Sequence, residues 1–172
     1  MNNIIENKAE ETLKRFELDK ESYIDMVLLA KKMQIQVGHA LTKDNYLSFV
    51  LVGSKMDSIF HTGQNKIIGI DANQSLEEKR FLIALELSYY VLKYHGQKYF
   101  AHKTTNSDKY NKDAYQLALA LLMPNNVVLS KFNEFKQCRN MGDITKGLAL
   151  CFKVSETCVF NRLMSLNLVT LA

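Results

Sequence analysis

Apolar side chains at Ile4, Ile5, Ala9, Leu13 and Phe16 recur at the spacing of one helix face, opposite Glu10, Glu11 and Lys14, and predict a first helix over residues 4–16. Asp19 is placed to cap a second helix ending near Met33, because a carboxylate there accepts from the free N–H groups of a helix start. Its buried stripe is Ile24, Val27, Leu28 and Met33. The period then changes. Residues 34–41 (QIQVGHAL), 46–53 (YLSFVLVG), 57–61 (DSIFH) and 66–70 (KIIGI) are short β-branched or aromatic runs punctuated by Gly, Asn and Asp, and predict a small antiparallel sheet of three or four strands.

Helical spacing resumes over residues 76–94, with Ser75 as N-cap, Glu77 and Glu78 where the helix dipole favours negative charge, and Gly96 as the stop. Residues 97–112 show no apolar period and read as a polar, lysine-rich loop. A further helix over residues 111–123 ends at Pro124, which cannot continue a ladder of helical hydrogen bonds. Helical segments follow at residues 125–138, 143–152 and 155–166. The fold class is therefore α+β, helices packed on a small antiparallel sheet. Residues 1–124 form the main unit, and residues 125–172 form a C-terminal helical part packed on it.

A chain of 172 residues with 47% hydrophobic content is sufficient for one buried core. The 22 basic and 18 acidic residues leave a net charge of +4, short of the dense basic surface that dominates nucleic-acid binding. Cys138, Cys151 and Cys158 form no C-x-x-C pair, so neither a disulfide framework nor a cysteine metal site is expected, and a reducing cytoplasm is the expected location. No apolar run approaches the ~20 residues that span a bilayer, so no membrane partner is expected.

Candidate chemistry is concentrated in residues 80–90, RFLIALELSYY. In the zinc motif H-E-x-x-H, two histidines one helical turn apart aim their imidazoles at one ion while the Glu activates its bound water. Here those positions read Leu85, Glu86, Leu87, Ser88, Tyr89. The acid is retained, Leu85 has no lone pair, and Tyr89 carries a phenol, which is protonated at neutral pH and a poor zinc ligand. The flanks give the pattern its meaning. Arg80, Phe81, Ala84 and Glu86, following the strand-like KIIGI, and then Ala114, Ala118, Leu121, Leu122, Met123 and Pro124 in DAYQLALALLMP, match the two motifs R-F-T-x-A-H-E-x-G-H and A-N-x-F-A-x-x-L-L-M-P. The chain thereby resembles the ImmA/IrrE family of metallopeptidase-like proteins, over roughly residues 1–170.

The resemblance implies a zincin-like scaffold, and the departures fall at its chemical positions. Family histidines become Leu85 and Tyr89, the family Gly becomes Ser88, and the usual Asn of the second motif becomes Tyr115. The family's third, acidic ligand falls at Asn111 or Asp113, and of these only Asp113 can bind metal. Zinc, the family's cofactor, is accordingly not expected here, and Glu86 is expected to be a vestigial general base or a buried acid held by a hydrogen bond. His39, His61, His95 and His102 read as surface residues, since their spacing offers no second site.

The C-terminal stretch resembles a helix-turn-helix. Val154, Ser155, Val159, Arg162 and Leu163 fit the V-S-x-x-x-V-x-x-R-L ending that the family often carries. Asn161 and Arg162 are the candidate contacts to a partner or to DNA, although Cys158, Val159, Phe160, Leu163, Met164 and Leu166 dominate that helix and favour packing or protein contact. Active members of the family cleave helix-turn-helix repressors of mobile elements or stress genes. The resemblance thus implies a catalytically inactive pseudopeptidase, of phage or mobile-element origin, that binds a repressor-like protein. Two rivals remain: an active zinc metalloprotease using non-standard ligands with Glu86 as base, and a DNA-binding transcription regulator acting through residues 143–168.

Overall fold

The computed structural model describes residues 2–41, 46–52, 66–93, 99–103, 111–137 and 140–170. These residues form seven helices and four strands in the order α1 (Asn2–Arg15), α2 (Met26–Lys32), β1 (Gln36–Ala40), β2 (Tyr46–Val52), β3 (Lys66–Asp71), α3 (Leu76–Val91), β4 (Tyr99–Lys103), α4 (Lys112–Leu122), α5 (Asn125–Lys136), α6 (Met141–Phe152) and α7 (Glu156–Ser165). The α+β class and the helical positions agree with the sequence pattern. None of the described helices is long and apolar enough to cross a membrane.

The sheet has the order β1-β3-β2-β4 and is mixed. β2 runs antiparallel to both β3 and β4, as expected, but β1 pairs parallel with β3, Gln36 opposite Ile67 and Ala40 opposite Asp71. This corrects the wholly antiparallel arrangement. The parallel pairing puts β3 in the interior of the sheet, and its residues Ile67 to Asp71 are all buried, giving the near-continuous apolar run KIIGI. The expected strand at residues 57–61 lies outside the described residues. A second correction concerns residues 97–112, read as loop. Tyr99–Lys103 forms the edge strand β4, and its lysine and histidine content, which obscured it, suits an edge.

Helix ends also differ locally. α2 is capped by Asp25, whose side chain accepts from the N–H groups of Val27 and Leu28 at 2.9 and 3.1 Å, and Asp19 caps nothing there. The face shifts with the cap: Met26, Leu29 and Ala30 are buried, while Val27 and Leu28 are exposed. α3 ends at Val91 with Leu92 as its C-cap and Lys93 in the left-handed region at φ 57°, sooner than the expected residue 94. Its start is as expected: the Ser75 hydroxyl accepts from Glu78 N–H and the Glu78 carboxylate accepts from Ser75 N–H, a reciprocal capping box.

α3 is the axis of the molecule. Every residue from Leu82 to Tyr89 is buried, because α3 packs against β2 and β3 on one side and α2 and α4 on others. A helix that is apolar all round is a buried one, and in this stretch only Glu86 and Ser88 depart from that composition. α4 is the second such helix, buried from Leu117 to Leu122 between α1, α3 and α7. One core cluster continues from Ile5 and Leu13 of α1 through both helices to Leu148, Val159 and Leu163 near the C-terminus.

Candidate functional site

The five residues at the motif positions lie on the buried middle of α3. Leu85, Glu86, Leu87 and Ser88 have no exposed surface, and Tyr89 retains 8%. Burying Leu85 there stabilises the domain by roughly 1.5–3 kcal/mol relative to an exposed leucine.

A carboxyl group without surface requires a donor. Ser48 supplies it: the Ser48 hydroxyl, itself fully buried, donates to Glu86 Oε1 at 2.6 Å. Ser48 stands in the middle of β2, opposite Ile70 of β3 on one side and His102 of β4 on the other. It is the residue that the sequence reading missed. The available signal was a lone small polar residue inside the apolar run YLSFVLV, which in a covered strand calls for a partner.

The other motif positions are absorbed in the same way. Ser88, where the family carries Gly, donates its hydroxyl to the Ala84 carbonyl one turn back at 2.7 Å. Tyr89 extends to the start of α4, where its hydroxyl accepts from the backbone N–H of Asn111 at 3.0 Å. Asn111 is the N-cap of α4, its side chain accepting from Asp113 N–H at 2.9 Å and Ala114 N–H at 3.2 Å. Asp113 sits half-buried in the first turn, where the helix dipole favours its charge. The Tyr89 hydroxyl thereby joins the buried middle of α3 to the start of α4. No group of three or more His, Cys, Asp or Glu side chains converges there or elsewhere among the described residues.

Arg80, the first matched residue of the motif, has a positioning role. It donates through Nε to the Lys153 carbonyl and through Nη2 to the Phe152 carbonyl, both at 3.2 Å, and through Nη1 to the Tyr23 hydroxyl at 2.6 Å. The two carbonyls end α6 and have no helical donor of their own, so one guanidinium closes that terminus and holds it to α3. It also lies 4.2 Å from the Tyr23 ring centroid. Burial pulls the Arg80 guanidinium down from its usual range.

Arg162 does not stand as a contact offered to a partner or DNA. Arg162 is 1% exposed. It donates through Nε to the Met123 carbonyl at 2.9 Å, where α4 ends, and engages both carboxylate oxygens of Glu6 through its two terminal nitrogens, Nη2 to Oε2 at 2.9 Å. Asn161 is half-buried and donates to the Tyr115 hydroxyl at 2.7 Å. Tyr115 in turn packs edge-on against Phe81, their centroids 5.5 Å apart, and burial raises its hydroxyl pKa. Cys158, Val159 and Leu163 of α7 pack in the core and Arg162 turns inward with them, while Phe160 is exposed.

Two comparisons bear on this arrangement. Comparison with curated proteins gives no match. A family model described as the IrrE N-terminal-like domain, of the Peptidase_M78 group, matches residues 30–164.

Proposed function

This chain belongs to the IrrE N-terminal-like domain family, and from that premise we propose that it is a pseudopeptidase, a regulatory protein that binds a repressor-like partner without cutting it. The observation that carries the reading is the state of Glu86, a would-be general base with no exposed surface whose Oε1 is engaged by Ser48. A general base must come within hydrogen-bond reach of a water or substrate proton, and a carboxyl enclosed between β2 and α3 is far from that condition.

The donor set supports the same reading. A catalytic zinc takes three protein ligands and keeps one position for water. Leu85 offers hydrocarbon, and the Tyr89 hydroxyl already accepts from Asn111 N–H. Asp113 alone does not make a site. These residues do not fit the zinc that the family implies. Leu85 and Tyr89 instead fill the space that two imidazoles and an ion would require, which converts a cleft into core.

The partner follows from the family resemblance: a helix-turn-helix repressor of a phage or mobile element, sequestered by this protein or shielded from an active relative. The test joins two measurements. Elemental analysis of untagged protein, purified without chelator and offered zinc, is expected to give well under one zinc per chain. The purified chain is also expected to bind a helix-turn-helix repressor from the same genetic neighbourhood, equally as wild type and as Glu86→Gln, and to leave it intact. Stoichiometric zinc together with repressor cleavage abolished by Glu86→Gln would replace this reading with that of an active metalloprotease.

A further inference from the structure

Five cations from separate parts of the chain converge on one groove of about 840 Å³ beside α1. Lys8 and Arg15 come from α1, Lys32 from the end of α2, Lys66 from the start of β3 and Lys93 from just beyond α3, and Glu11 is the one carboxylate among the described residues that line it. With these set aside, 17 of the 22 basic and 17 of the 18 acidic residues remain, so the chain's whole formal excess of +4 corresponds to this groove. The ion pairs Lys14–Glu10, Lys131–Glu134 and Arg162–Glu6 use none of these cations. A charge excess that is mild when averaged over the chain is thus concentrated on one concave surface, where it focuses the field.

The groove's floor decides which polyanion it fits. Phe16, Met33, Tyr90 and Val91 line it, each packed against the core behind. Both rings also carry a cation: the Arg15 guanidinium lies 5.6 Å from the Phe16 centroid and Lys66 Nζ 4.5 Å from that of Tyr90. Lys66 donates to the Tyr90 hydroxyl as well. Grooves for single-stranded nucleic acid stack bases on open aromatic faces, and rings with core behind them and a cation over them are poor platforms for that. An apolar floor under a cationic rim instead matches a polypeptide carrying both acidic and apolar side chains.

We propose that this groove docks an acidic segment of a partner protein, with Asp and Glu side chains meeting Lys8, Arg15, Lys32 and Lys93 while apolar side chains rest on Met33 and Val91. Lys8 and Arg15 are two turns apart on α1, about 10 Å, a span that about three extended residues cover. Met33 can adapt its shape to what lies on it. The inference holds whether or not the Glu86 region is inert. Lys66 begins β3, whereas Ile70, the partner of Ser48, is near its far end, roughly 13 Å away along the strand.

The test is fluorescence anisotropy of a short labelled peptide of Glu, Leu and Gly titrated with the full chain at low ionic strength. A single-stranded oligonucleotide of equal charge and inorganic triphosphate serve as competitors. Lys32→Glu/Lys93→Glu alters the groove, and Lys20→Glu/Lys146→Glu makes the same change in net charge at exposed positions outside it. The groove variant is expected to lose at least ~10-fold in affinity and the control less than ~2-fold, with binding weakened by added salt. Equal losses in both variants would reduce the effect to net charge and overturn the proposal. So would absence of binding at low salt, tighter binding of the oligonucleotide than of the peptide, or full displacement by equimolar triphosphate. If the groove variant does not keep the native far-UV spectrum, Lys8→Gln takes its place with the same direction of effect.

Discussion

Ser48 and Glu86 are 38 positions apart in sequence yet share one buried hydrogen bond, and much of this protein's chemistry is settled in such pairs. Removing only the donor takes a hydrogen bond from a buried acceptor, whereas removing both groups can be nearly neutral. Ser48→Ala is therefore expected to lower unfolding free energy by about 1–3 kcal/mol, and Ser48→Ala/Glu86→Met to recover most of it, both read by urea denaturation. A double variant that is stable and still binds the repressor is what an inert acid requires. Arg162 belongs to the same class. Arg162→Ala leaves the Met123 carbonyl and the Glu6 carboxylate without their guanidinium, and is expected to cost about 3 kcal/mol in the same assay. A residue reading an external partner would instead leave stability unchanged. The sequence could not reveal this, since the partner carboxylate lies 156 positions away, while the apolar neighbours of Arg162 were visible. Cys151 and Cys158 differ likewise by placement. Cys151 is exposed, and burial pushes the Cys158 thiol up. A raised pKa leaves less thiolate at any pH below it, so alkylation at pH 8 followed by peptide mapping is expected to modify Cys151 at least ~10-fold faster than Cys158.

Helix ends show at the scale of elements what local sequence does and does not specify. Ser75, Asn111, Asn140 and Ser155 each cap the helix that follows, all by side-chain acceptance of a backbone N–H. Ser75 was legible as a cap because an acceptor and an apolar period coincide there. Asp19 and Asp25 illustrate the limit. Both precede an apolar stretch, and the choice of Asp25 depends on Ile24, Met26 and Leu29 being drawn together into the core. The C-terminal ends were less legible, because the chain seldom marks them with glycine. α1 and α2 close alike, with Leu18 N–H donating to the Leu13 carbonyl and Ile35 N–H to the Ala30 carbonyl. That closure places Glu17 and Gln34 at φ 59°. L-residues other than Gly carry roughly 1–2 kcal/mol of strain there. Both side chains are exposed. Glu17→Gly and Gln34→Gly are each expected to raise the midpoint of thermal unfolding, corresponding to about 0.5–1 kcal/mol after the extra chain entropy of glycine is subtracted. A fall in midpoint in both variants would mean that these side chains contribute something the backbone does not show.

For the whole molecule, the order of elements and the α+β class were readable from period changes along the chain. The parallel pairing of β1 with β3 was not, since pairing partners are chosen through burial at a distance. Nor could the sequence show how closely residues 125–172 join the rest. Arg80 ties α3 to the end of α6, Arg162 ties α7 to the end of α4 and to α1, and the core cluster crosses all of these without interruption. A guanidinium that closes a helix terminus in another part of the chain makes the two parts stabilise each other. Thermal unfolding is therefore expected to be one transition, with far-UV circular dichroism and tyrosine fluorescence giving the same midpoint. Tyrosine is the suitable probe because the chain has eight tyrosines and no tryptophan. Arg80→Ala removes three donated hydrogen bonds at once and is expected to lower stability by about 2–3 kcal/mol. If the clamp couples the two parts, the variant's single transition moves to lower temperature in both signals together. If residues 125–172 are an autonomous unit that merely rests on α3, the two signals instead separate into an early and a late step, with the late one where the wild type melts.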